Sequence, residues 1–246
     1  MKVIGIIPAR FGSSRFPGKP LIDIAGQSMI QRVYNQVKNA QSLHEVIVAT
    51  DDQRIYDHVK SFAGNVIMTK DTHESGTDRC AEVSANLTGF DVVINIQGDE
   101  PFIDPQQIDL LVSCFKNENT KIATLVRKVE TNEELFNENK PKVVLNKDTE
   151  AVYFSRQAIP FQRGVKQTEW LNYRPYYNHI GIYGYKADTL LELTQLPLSD
   201  LETMEALEQL RWIDNGYAIK TAISNHSNDA IDTPEDLEHI LQKYFK

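Results

Sequence analysis

The chain has 246 residues, of which 41% are hydrophobic and 24% are charged, values typical of a globular protein with one large domain. Its 26 Lys and Arg residues against 34 Asp and Glu give a formal net charge of −8, which argues against a protein that binds nucleic acid or a membrane surface through a basic face. No apolar stretch approaches the roughly 20 residues that cross a bilayer. No signal peptide is expected before the first strand, and the two cysteines fit no disulfide or zinc pattern, so we expect a cytoplasmic protein.

The first loop, residues 8–20, is the most informative segment of the sequence. It follows an unbroken apolar run at 3–7, typical of a strand buried on both faces of a parallel sheet, and precedes a helical apolar pattern at 29–37. Open α/β sheets bind ligands at this strand-to-helix edge. The loop combines Gly and Ser backbone amides with three cations, Arg10, Arg15 and Lys19. Together they predict a polyphosphate cradle.

Other interpretations of this loop are less favourable. Five residues rather than four separate Gly12 from Gly18, and Pro20 follows Lys19, so the loop is not a Walker A motif. The sequence contains no G-x-G-x-x-G dinucleotide fingerprint. A solvated basic loop is the remaining alternative, which three cations in one short loop of an acidic chain disfavour.

The α/β pattern continues along the chain. Further strands are predicted at 44–49, 66–68, 91–96 and 122–126. A helix is predicted to begin near Ser75, with Arg79 in its first turn, where a cation opposes the helix dipole. We therefore predict an anionic or acceptor partner for Arg79, such as a ligand.

Two aspartates are left without a structural role in the predicted elements. Asp99 follows the strand at 91–96, and the next helix already has its N-cap in Asp104. Thr233 is predicted to cap the last helix, which leaves Asp232 surplus. A carboxylate that faces a phosphate cradle needs a cation between them, and Mg²⁺ is usually held by one or two carboxylates plus substrate phosphates. Both aspartates are therefore candidate magnesium ligands, although their spacing leaves open whether they meet.

The pattern changes in the middle of the chain. Residues 143–145 and 151–154 are predicted to form an antiparallel hairpin, and a strand is predicted at 179–185. Residues 156–177 between them are irregular and carry arginines among aromatic side chains. We expect residues 142–186 to be an insertion that covers the sheet edge and pairs with a second subunit.

A single helix is predicted from residue 201 to about 215. Its apolar face consists of Leu201, Met204, Leu207 and Leu210. Glu208 and Arg211 fall inside this apolar stripe, where charges are rarely buried unpaired. Two alternatives stay open: an internal Glu208–Arg211 pair, or a Glu208 that faces the ligand cleft and accepts hydrogen bonds from hydroxyls.

Seven motifs resemble a known family in their residues and their order. The first loop, Ser75-Gly-Thr-Asp-Arg79 and Gln97-Gly-Asp-Glu-Pro101 resemble the CTP-using sugar-acid cytidylyltransferases. Four more motifs narrow the resemblance to the family that acts on 3-deoxy-manno-octulosonate (Kdo): Tyr153-Phe-Ser-Arg156, His179-Ile-Gly-Ile-Tyr-Gly-Tyr185, Leu207-Glu-Gln-Leu-Arg211 and Asp232-Thr-Pro-Glu-Asp236. The resemblance runs nearly from end to end.

The resemblance implies a fold and a reaction. The fold would be a Rossmann-like, three-layer α/β nucleotidyltransferase domain over residues 1–246, with a mostly parallel mixed sheet and an inserted dimerisation region. The reaction would join CTP and Kdo into CMP-Kdo and pyrophosphate, for lipopolysaccharide synthesis, with Mg²⁺ as cofactor. The protein would be a cytoplasmic homodimer that binds neither nucleic acid nor membrane.

The resemblance also assigns roles to residues. Arg10, Arg15 and Lys19 would hold the triphosphate and neutralise the leaving pyrophosphate, while Asp99 and Asp232 would hold the catalytic Mg²⁺. The rest of the CTP site would be Pro8, Ala9, Gly12, Ser13, Ser75, Thr77 and Arg79. The sugar-acid site would be lined by Gln97, Arg156, His179, Tyr183, Glu208 and Gln209, with an arginine suited to the carboxylate.

Three alternatives remain. The segments 198–211 and 162–177 depart from the family pattern near the expected sugar pocket, so the substrate could be 8-amino-Kdo or another sugar acid. A sugar-1-phosphate nucleotidyltransferase would share the first loop but needs no arginine for a sugar carboxylate. A non-catalytic nucleotide-binding module would gain little from two spare aspartates.

Overall fold

The computed structural model describes residues 1–12, 16–226 and 230–245. Within them the strands are β1 (Val3–Ala9), β2 (Asp23–Ile24), β3 (Gln27–Ser28), β4 (Glu45–Thr50), β5 (Val66–Met68), β6 (Val92–Asn95), β7 (Ile122–Lys128), β8 (Lys142–Leu145), β9 (Ala151–Ser155), β10 (Tyr177–Lys186) and β11 (Ile219–Ile223). The α-helices are α1 (Met29–Val37), α2 (Gln53–Ser61), α3 (Gly76–Asn86), α4 (Pro105–Ser113), α5 (Asn132–Phe136), α6 (Ala187–Leu193), α7 (Asp200–Glu205), α8 (Gln209–Asp214) and α9 (Pro234–Tyr244). Short 3₁₀ helices lie at Lys19–Leu21, Cys114–Lys116 and Gln167–Asn172.

Seven strands form the main path of one mixed sheet, in the order β11-β7-β10-β6-β1-β4-β5. The pairs β1–β4, β1–β6, β4–β5 and β7–β11 are parallel. Only β10 on this path pairs antiparallel, with both β6 and β7. The predicted α/β class with a mostly parallel mixed sheet is therefore confirmed.

Helices cover both faces of the sheet. On one face α1, α2 and α4 pack against it through Val33, Ile55 and Leu111. On the other face α3, α6 and α8 do so, with Val83 and Trp212 fully or almost fully buried. The result is a three-layer α/β/α arrangement with a core on each side of the sheet. Among the described helices, none is both long and apolar enough to cross a membrane.

Side-chain caps fix where the helices begin, as the sequence predicts. Ser75 and Thr233 form capping boxes with the aspartates three residues later and start α3 and α9. Asp104 caps α4 and is followed by proline at the first helical position. These caps fix the position of the first turns of α3 and α9.

Strand β10 lies inside the sheet rather than in an insertion. The sequence predicts that residues 142–186 cover the sheet edge, but residues 177–186 fill the space between β6 and β7. The predicted β8–β9 hairpin is present, and β8 pairs with the first residues of β10. The segment off the main path is therefore shorter than expected, because the returning strand completes the sheet.

The predicted helix over 201–215 is broken in two. Helix α7 ends at Glu205, and Ala206 adopts a left-handed conformation with φ of 50° before α8 begins. Arg156 donates from Nε to the Glu205 carbonyl at 2.6 Å and from Nη2 to the Ala206 carbonyl at 3.1 Å, which satisfies two acceptors at the break. The predicted apolar stripe is wrong at Met204, whose side chain is 82% exposed.

Candidate active site

A cleft of about 260 Å³ opens at the carboxyl ends of the neighbouring parallel strands β1 and β6. The chain passes from β1 to β4 on one side and returns through α3 to β6 on the other. The cleft thus lies at the switch point where open α/β sheets bind ligands. Its lining residues are Pro8, Ala9, Arg10, Lys19, Pro20, His73, Glu74, Ser75, Gly76, Arg79, Gln97, Gly98, Asp99 and Asp232.

The cleft brings together nine of the predicted site residues. They are Pro8, Ala9, Arg10, Lys19, Ser75, Arg79, Gln97, Asp99 and Asp232. Gly12 and Thr77 do not belong to its lining. Ser13 and Arg15 lie outside the described residues.

Two glycines let backbone segments crowd around the start of the first loop. A Cβ atom at Gly98 would lie 2.9 Å from the Pro8 carbonyl oxygen, and one at Gly76 would lie 3.2 Å from the Pro8 ring. A side chain at Gly98 would therefore push the ends of β1 and β6 apart. The first turn of α3 can pack against Pro8 for the same reason. The floor of the cleft consequently consists of closely packed backbone that a ligand can approach.

The two predicted metal ligands meet on one side chain. Lys19 Nζ donates to Asp99 Oδ2 at 2.8 Å and to Asp232 Oδ1 at 2.9 Å. Residue 99 follows β6 and residue 232 precedes α9, so 133 positions of sequence separate carboxylates that share one ammonium. The expectation that Asp99 and Asp232 are spare carboxylates is wrong, because both form ion pairs. The two carboxylates also lie close together, which their spacing in the sequence had left open.

Arg79 has the anionic partner that the sequence predicts, and this partner belongs to the protein. Its guanidinium, with a side chain only 4% exposed, donates from Nη2 to Asp51 Oδ2 at 2.9 Å. Nη1 donates to the Thr69 hydroxyl and, at 3.4 Å, to the Lys70 carbonyl. The cation in the first turn of α3 is thus held by groups that follow β4 and β5 while its side chain lines the cleft.

Glu208 is directed toward α3 and not toward Arg211. Glu208 Oε2 accepts a hydrogen bond from the Thr77 hydroxyl at 2.7 Å. Arg211 instead forms a bidentate pair with Glu202, at 2.6 and 2.7 Å. Of the two alternatives, the internal Glu208–Arg211 pair is therefore wrong, because Glu202 on α7 binds the Arg211 guanidinium instead. Burial raises the pKa of the Glu208 carboxyl, against the lowering effect of the Thr77 hydrogen bond.

Glu208 also lines an open groove of about 780 Å³ that adjoins the cleft and shares His73, Glu74 and Ser75 with it. Two walls of this groove come from α3 and α6. The cleft and the groove together offer room for two substrates beside the first turn of α3.

Polar side chains near β10 include atoms without partners. The Tyr183 hydroxyl and Gln209 Nε2 are buried and have no hydrogen-bond partner among the described residues. Gln97 Nε2 donates to the Gly181 carbonyl at 3.0 Å, and His179 Nε2 lies 3.0 Å from the Thr124 hydroxyl. Buried polar atoms are normally satisfied, so these atoms suit a ligand with hydroxyl groups or ordered water.

Arg156 is occupied by the backbone around it. Besides the carbonyls of Glu205 and Ala206, its Nη1 donates to the Glu138 carbonyl at 3.2 Å. Glu205 returns the contact, since its carboxylate accepts hydrogen bonds from the Arg156 amide and from the Ser155 hydroxyl. Arg156 thus holds the break between α7 and α8 that presents Glu208.

Several residues of the site escape prediction from the sequence alone. Pro20, His73, Glu74, Gly76 and Gly98 line the cleft, and Asp51 holds Arg79 there. Asp51 follows a predicted strand, as Asp99 does, so its position at a carboxyl edge was the available signal. Gly98 was recognisable as a glycine just after a buried strand, which often marks a close approach of backbone. His73 and Glu74 carry no pattern that separates them from a polar loop.

The fold and the cleft define a nucleotide-binding α/β protein of the nucleotidyltransferase type, with cations, exposed backbone and a carboxylate pair at one switch point. The cytidylyltransferase family model matches residues 4–222. The chain belongs to the cytidylyltransferase family and, within it, to the 3-deoxy-manno-octulosonate cytidylyltransferases.

Individual relatives support this membership over the whole chain. It is 57% identical to the 3-deoxy-manno-octulosonate cytidylyltransferase of Parabacteroides distasonis, over 98% of this chain and 97% of that protein. Identity to the protein of the same name from Bacteroides thetaiotaomicron is 54%, over 97% and 96%. A solved structure of CMP:2-keto-3-deoxy-manno-octonic acid synthetase complexed with CTP is 40% identical, with a TM-score of 0.92 over 99% of this chain and 98% of that one. The family resemblance seen in the motifs is confirmed.

Proposed function

We propose that this protein transfers CMP from CTP to the anomeric hydroxyl of Kdo and releases pyrophosphate, which activates the sugar acid for lipopolysaccharide synthesis. The observation that carries the proposal is the cleft at the switch point, where Lys19, Asp99 and Asp232 meet beside Arg10 and Arg79. Relatives named for this activity match the chain from end to end.

The proposed chemistry is an in-line attack on the α-phosphorus of CTP. Charge builds up on the phosphoryl oxygens and on the departing pyrophosphate, so positioning and electrostatic stabilisation supply most of the rate. Arg10 lines the cleft from an exposed position, where it can bind the triphosphate. Ser75 caps α3 and Arg79 lies in its first turn. Together with backbone near Pro8, they would surround the nucleoside. Arg15, Gly12 and Ser13 complete the proposed CTP site.

Asp99 and Asp232 would hold Mg²⁺. The donor set fits a hard cation, since two carboxylates already converge on one positive charge at hydrogen-bond distance. The described residues contain no group of three or more His, Cys, Asp and Glu side chains that could hold a metal. The remaining ligands would therefore be triphosphate oxygens and water, as is usual for Mg²⁺. When bound, the ion would neutralise charge on the phosphates and favour ionisation of the attacking hydroxyl.

The sugar acid would lie where the cleft meets β10 and the start of α8. The buried Tyr183 hydroxyl and Gln209 Nε2 have unused hydrogen-bonding capacity there. Gln97, His179 and Glu208 would complete the contacts to hydroxyl groups. Arg156 would act on this site indirectly, because it stabilises the break between α7 and α8. It would bind the sugar carboxylate only by giving up its hydrogen bonds to the Glu205 and Ala206 carbonyls.

The assembly and the location are part of the proposal. Three large apolar side chains in or near the segment off the main sheet are exposed: Val152 at 52%, Phe161 at 72% and Tyr173 at 59%. A second copy of the chain that covers this surface would remove them from water. We propose a homodimer through residues 142–176, in the cytoplasm, with neither nucleic acid nor membrane as partner.

The test is pyrophosphate release by the purified protein with CTP and Mg²⁺, comparing Kdo, 8-amino-Kdo, a sialic acid and glucose 1-phosphate. We expect release with Kdo, abolished by EDTA. Release with 8-amino-Kdo alone, or with the sialic acid alone, would support the proposed cytidylyl transfer but assign a different sugar acid as the substrate. Release with glucose 1-phosphate alone would favour a sugar-1-phosphate nucleotidyltransferase. CTP binding without release from any acceptor would overturn the catalytic proposal in favour of a binding module.

A separate substitution tests whether Asp99 binds the metal. Asp99→Asn keeps the size of the side chain and removes its charge, so kcat should fall by roughly 10²-fold or more while CTP affinity changes far less. Asp104→Asn is the matched control, because it removes a carboxylate that caps α4 and contacts His226 but does not line the cleft, and asparagine caps a helix equally well. Near-normal turnover of Asp99→Asn would contradict a metal ligand at this position.

A further inference from the structure

The ion pairs of Lys19 occupy one oxygen of each of the two carboxylates that would hold a divalent cation. The Lys19 side chain is 12% exposed, and its ammonium lies 2.8 Å from Asp99 Oδ2 and 2.9 Å from Asp232 Oδ1. A magnesium ion bound to these oxygens would approach them at about 2.0–2.1 Å. Two cations so close to one another and to the same two oxygens would repel strongly in a partly buried cleft. The ammonium and the metal therefore exclude one another from this position.

The Lys19 ammonium has an alternative position in the cleft. Lys19 lines the same cleft as Arg10 and belongs to the first loop, whose cations are predicted to hold phosphates. Its charge sits on a flexible four-carbon stem, so the ammonium can leave the carboxylates by side-chain rotation alone. Phosphate oxygens in the cleft would receive it and replace the lost ion pairs. An arginine would be less suited to this exchange, because its fork would bind the two carboxylates in a fixed geometry.

We propose that the Lys19 ammonium is the resident cation of the Asp99–Asp232 pair, and that a divalent cation enters by displacing it toward the triphosphate. This inference rests on the metal assignment of the proposed function and adds a role for Lys19 to it. The displaced ammonium gains a phosphate partner only when nucleotide is present. Metal binding and nucleotide binding therefore favour one another through Lys19, beyond the chelation of metal by free CTP.

The experiment measures Mn²⁺ binding by the loss of its free electron paramagnetic resonance signal, with full-length protein and no nucleotide. Lys19→Met keeps an unbranched side chain of similar length without charge, and should bind Mn²⁺ about tenfold more tightly than the wild type or better. Arg10→Met is the matched control, since it removes one positive charge from the same cleft without releasing the carboxylates. Its Mn²⁺ affinity should rise by about threefold at most.

Equal or weaker Mn²⁺ binding by Lys19→Met would overturn the proposal, because Lys19 would then merely hold the two carboxylates in place. The double variant Lys19→Met, Asp99→Asn distinguishes a failure of this proposal from a failure of the metal assignment. If the added Asp99→Asn leaves Mn²⁺ binding intact, the metal site itself is misplaced. If it abolishes Mn²⁺ binding while Lys19→Met alone changes nothing, only the role of Lys19 fails.

A second measurement uses the wild type and does not depend on how a variant folds. Lysines are acetylated with a water-soluble reagent in the absence and presence of Mn²⁺, without nucleotide, and the labelling rate at Lys19 is read by mass spectrometry. Lys147, whose side chain is 87% exposed, is the internal reference. Mn²⁺ at concentrations that saturate the site should accelerate labelling of Lys19 severalfold and leave Lys147 unchanged. Unchanged labelling of Lys19 would overturn the displacement.

Discussion

The protonation of His179 follows from its hydrogen bonds and its burial. The Thr124 hydroxyl donates its one proton to the Ile182 carbonyl at 2.7 Å, so it can only accept from His179 Nε2. The neutral ring thus carries its proton on Nε2, which leaves Nδ1 as an acceptor. Burial lowers the pKa of His179 to about 3. At neutral pH this side chain therefore has an acceptor at Nδ1 and no positive charge, as its proposed contact with a sugar hydroxyl requires.

The low pKa of His179 should make the protein less stable in mild acid. An unfolded histidine, with a pKa near 6.5, takes up a proton that the folded one refuses, so stability present above pH 6.5 is lost as the pH falls toward 3. This group alone should lower the free energy of unfolding by about 2 kcal/mol between pH 7 and pH 5. Urea unfolding of the wild type and of His179→Gln at both pH values isolates the contribution. An equal fall in the two proteins would contradict it.

The break between α7 and α8 shows how an element boundary can be invisible in a sequence. The apolar spacing continues from 201 to 215, and neither glycine nor proline marks a stop. Helix α7 nevertheless ends, because Ala206 turns left-handed and Arg156 takes up the freed carbonyls. Arg156 lies about 50 residues away in sequence, so local propensity carries no trace of it. The direction of Glu208 depends on this distant contact.

Replacing Ala206 by glycine should stabilise the protein. Alanine in the left-handed region suffers a steric clash that glycine avoids, so Ala206→Gly should raise the free energy of unfolding by about 0.5–1 kcal/mol. Ala85→Gly is the control, because Ala85 is exposed in the regular helix α3, where glycine should cost about 1 kcal/mol. Denaturant unfolding of both variants measures the effect. Destabilisation of the same size at both positions would show that the break is not strained.

At the scale of the whole molecule, the sequence indicates the parts better than their arrangement. Buried apolar runs identify the parallel strands, and cap residues identify where helices begin, because both are local patterns. The place of β10 between β6 and β7, and the pairs Lys19–Asp232 and Arg79–Asp51, join segments that are far apart in the chain. Such contacts are decided by packing and leave no periodic signal. The motifs nevertheless identify most of the residues that line the cleft, because binding and catalysis require particular residue types, whereas packing accepts many.

The two ends of the chain meet in a small core of their own. Ile231 and Ile240 pack with Ile24 and Met29, apart from the two large cores, and the Ile231 amide donates to the Asp99 carbonyl at 3.0 Å. Asp232 lies in the cleft two residues before α9, whereas the described aliphatic side chains of α9 pack in this small core and belong to neither of the two large cores. A segment with its own small core can open without global unfolding.

Ile240→Ala should uncouple this segment from the rest of the molecule. The substitution removes a side chain that is 2% exposed, at a cost of about 2–4 kcal/mol. Because only the small core loses contacts, hydrogen exchange should accelerate over 231–245 and in the facing residues 20–30, while the main sheet stays protected. Turnover should fall, since Asp232 moves with α9. Leu111→Ala, in a large core, should instead lower the protection of the sheet as a whole. Uniform acceleration in Ile240→Ala would mean that α9 and the sheet unfold as one unit, and that the segment with Asp232 cannot open by itself.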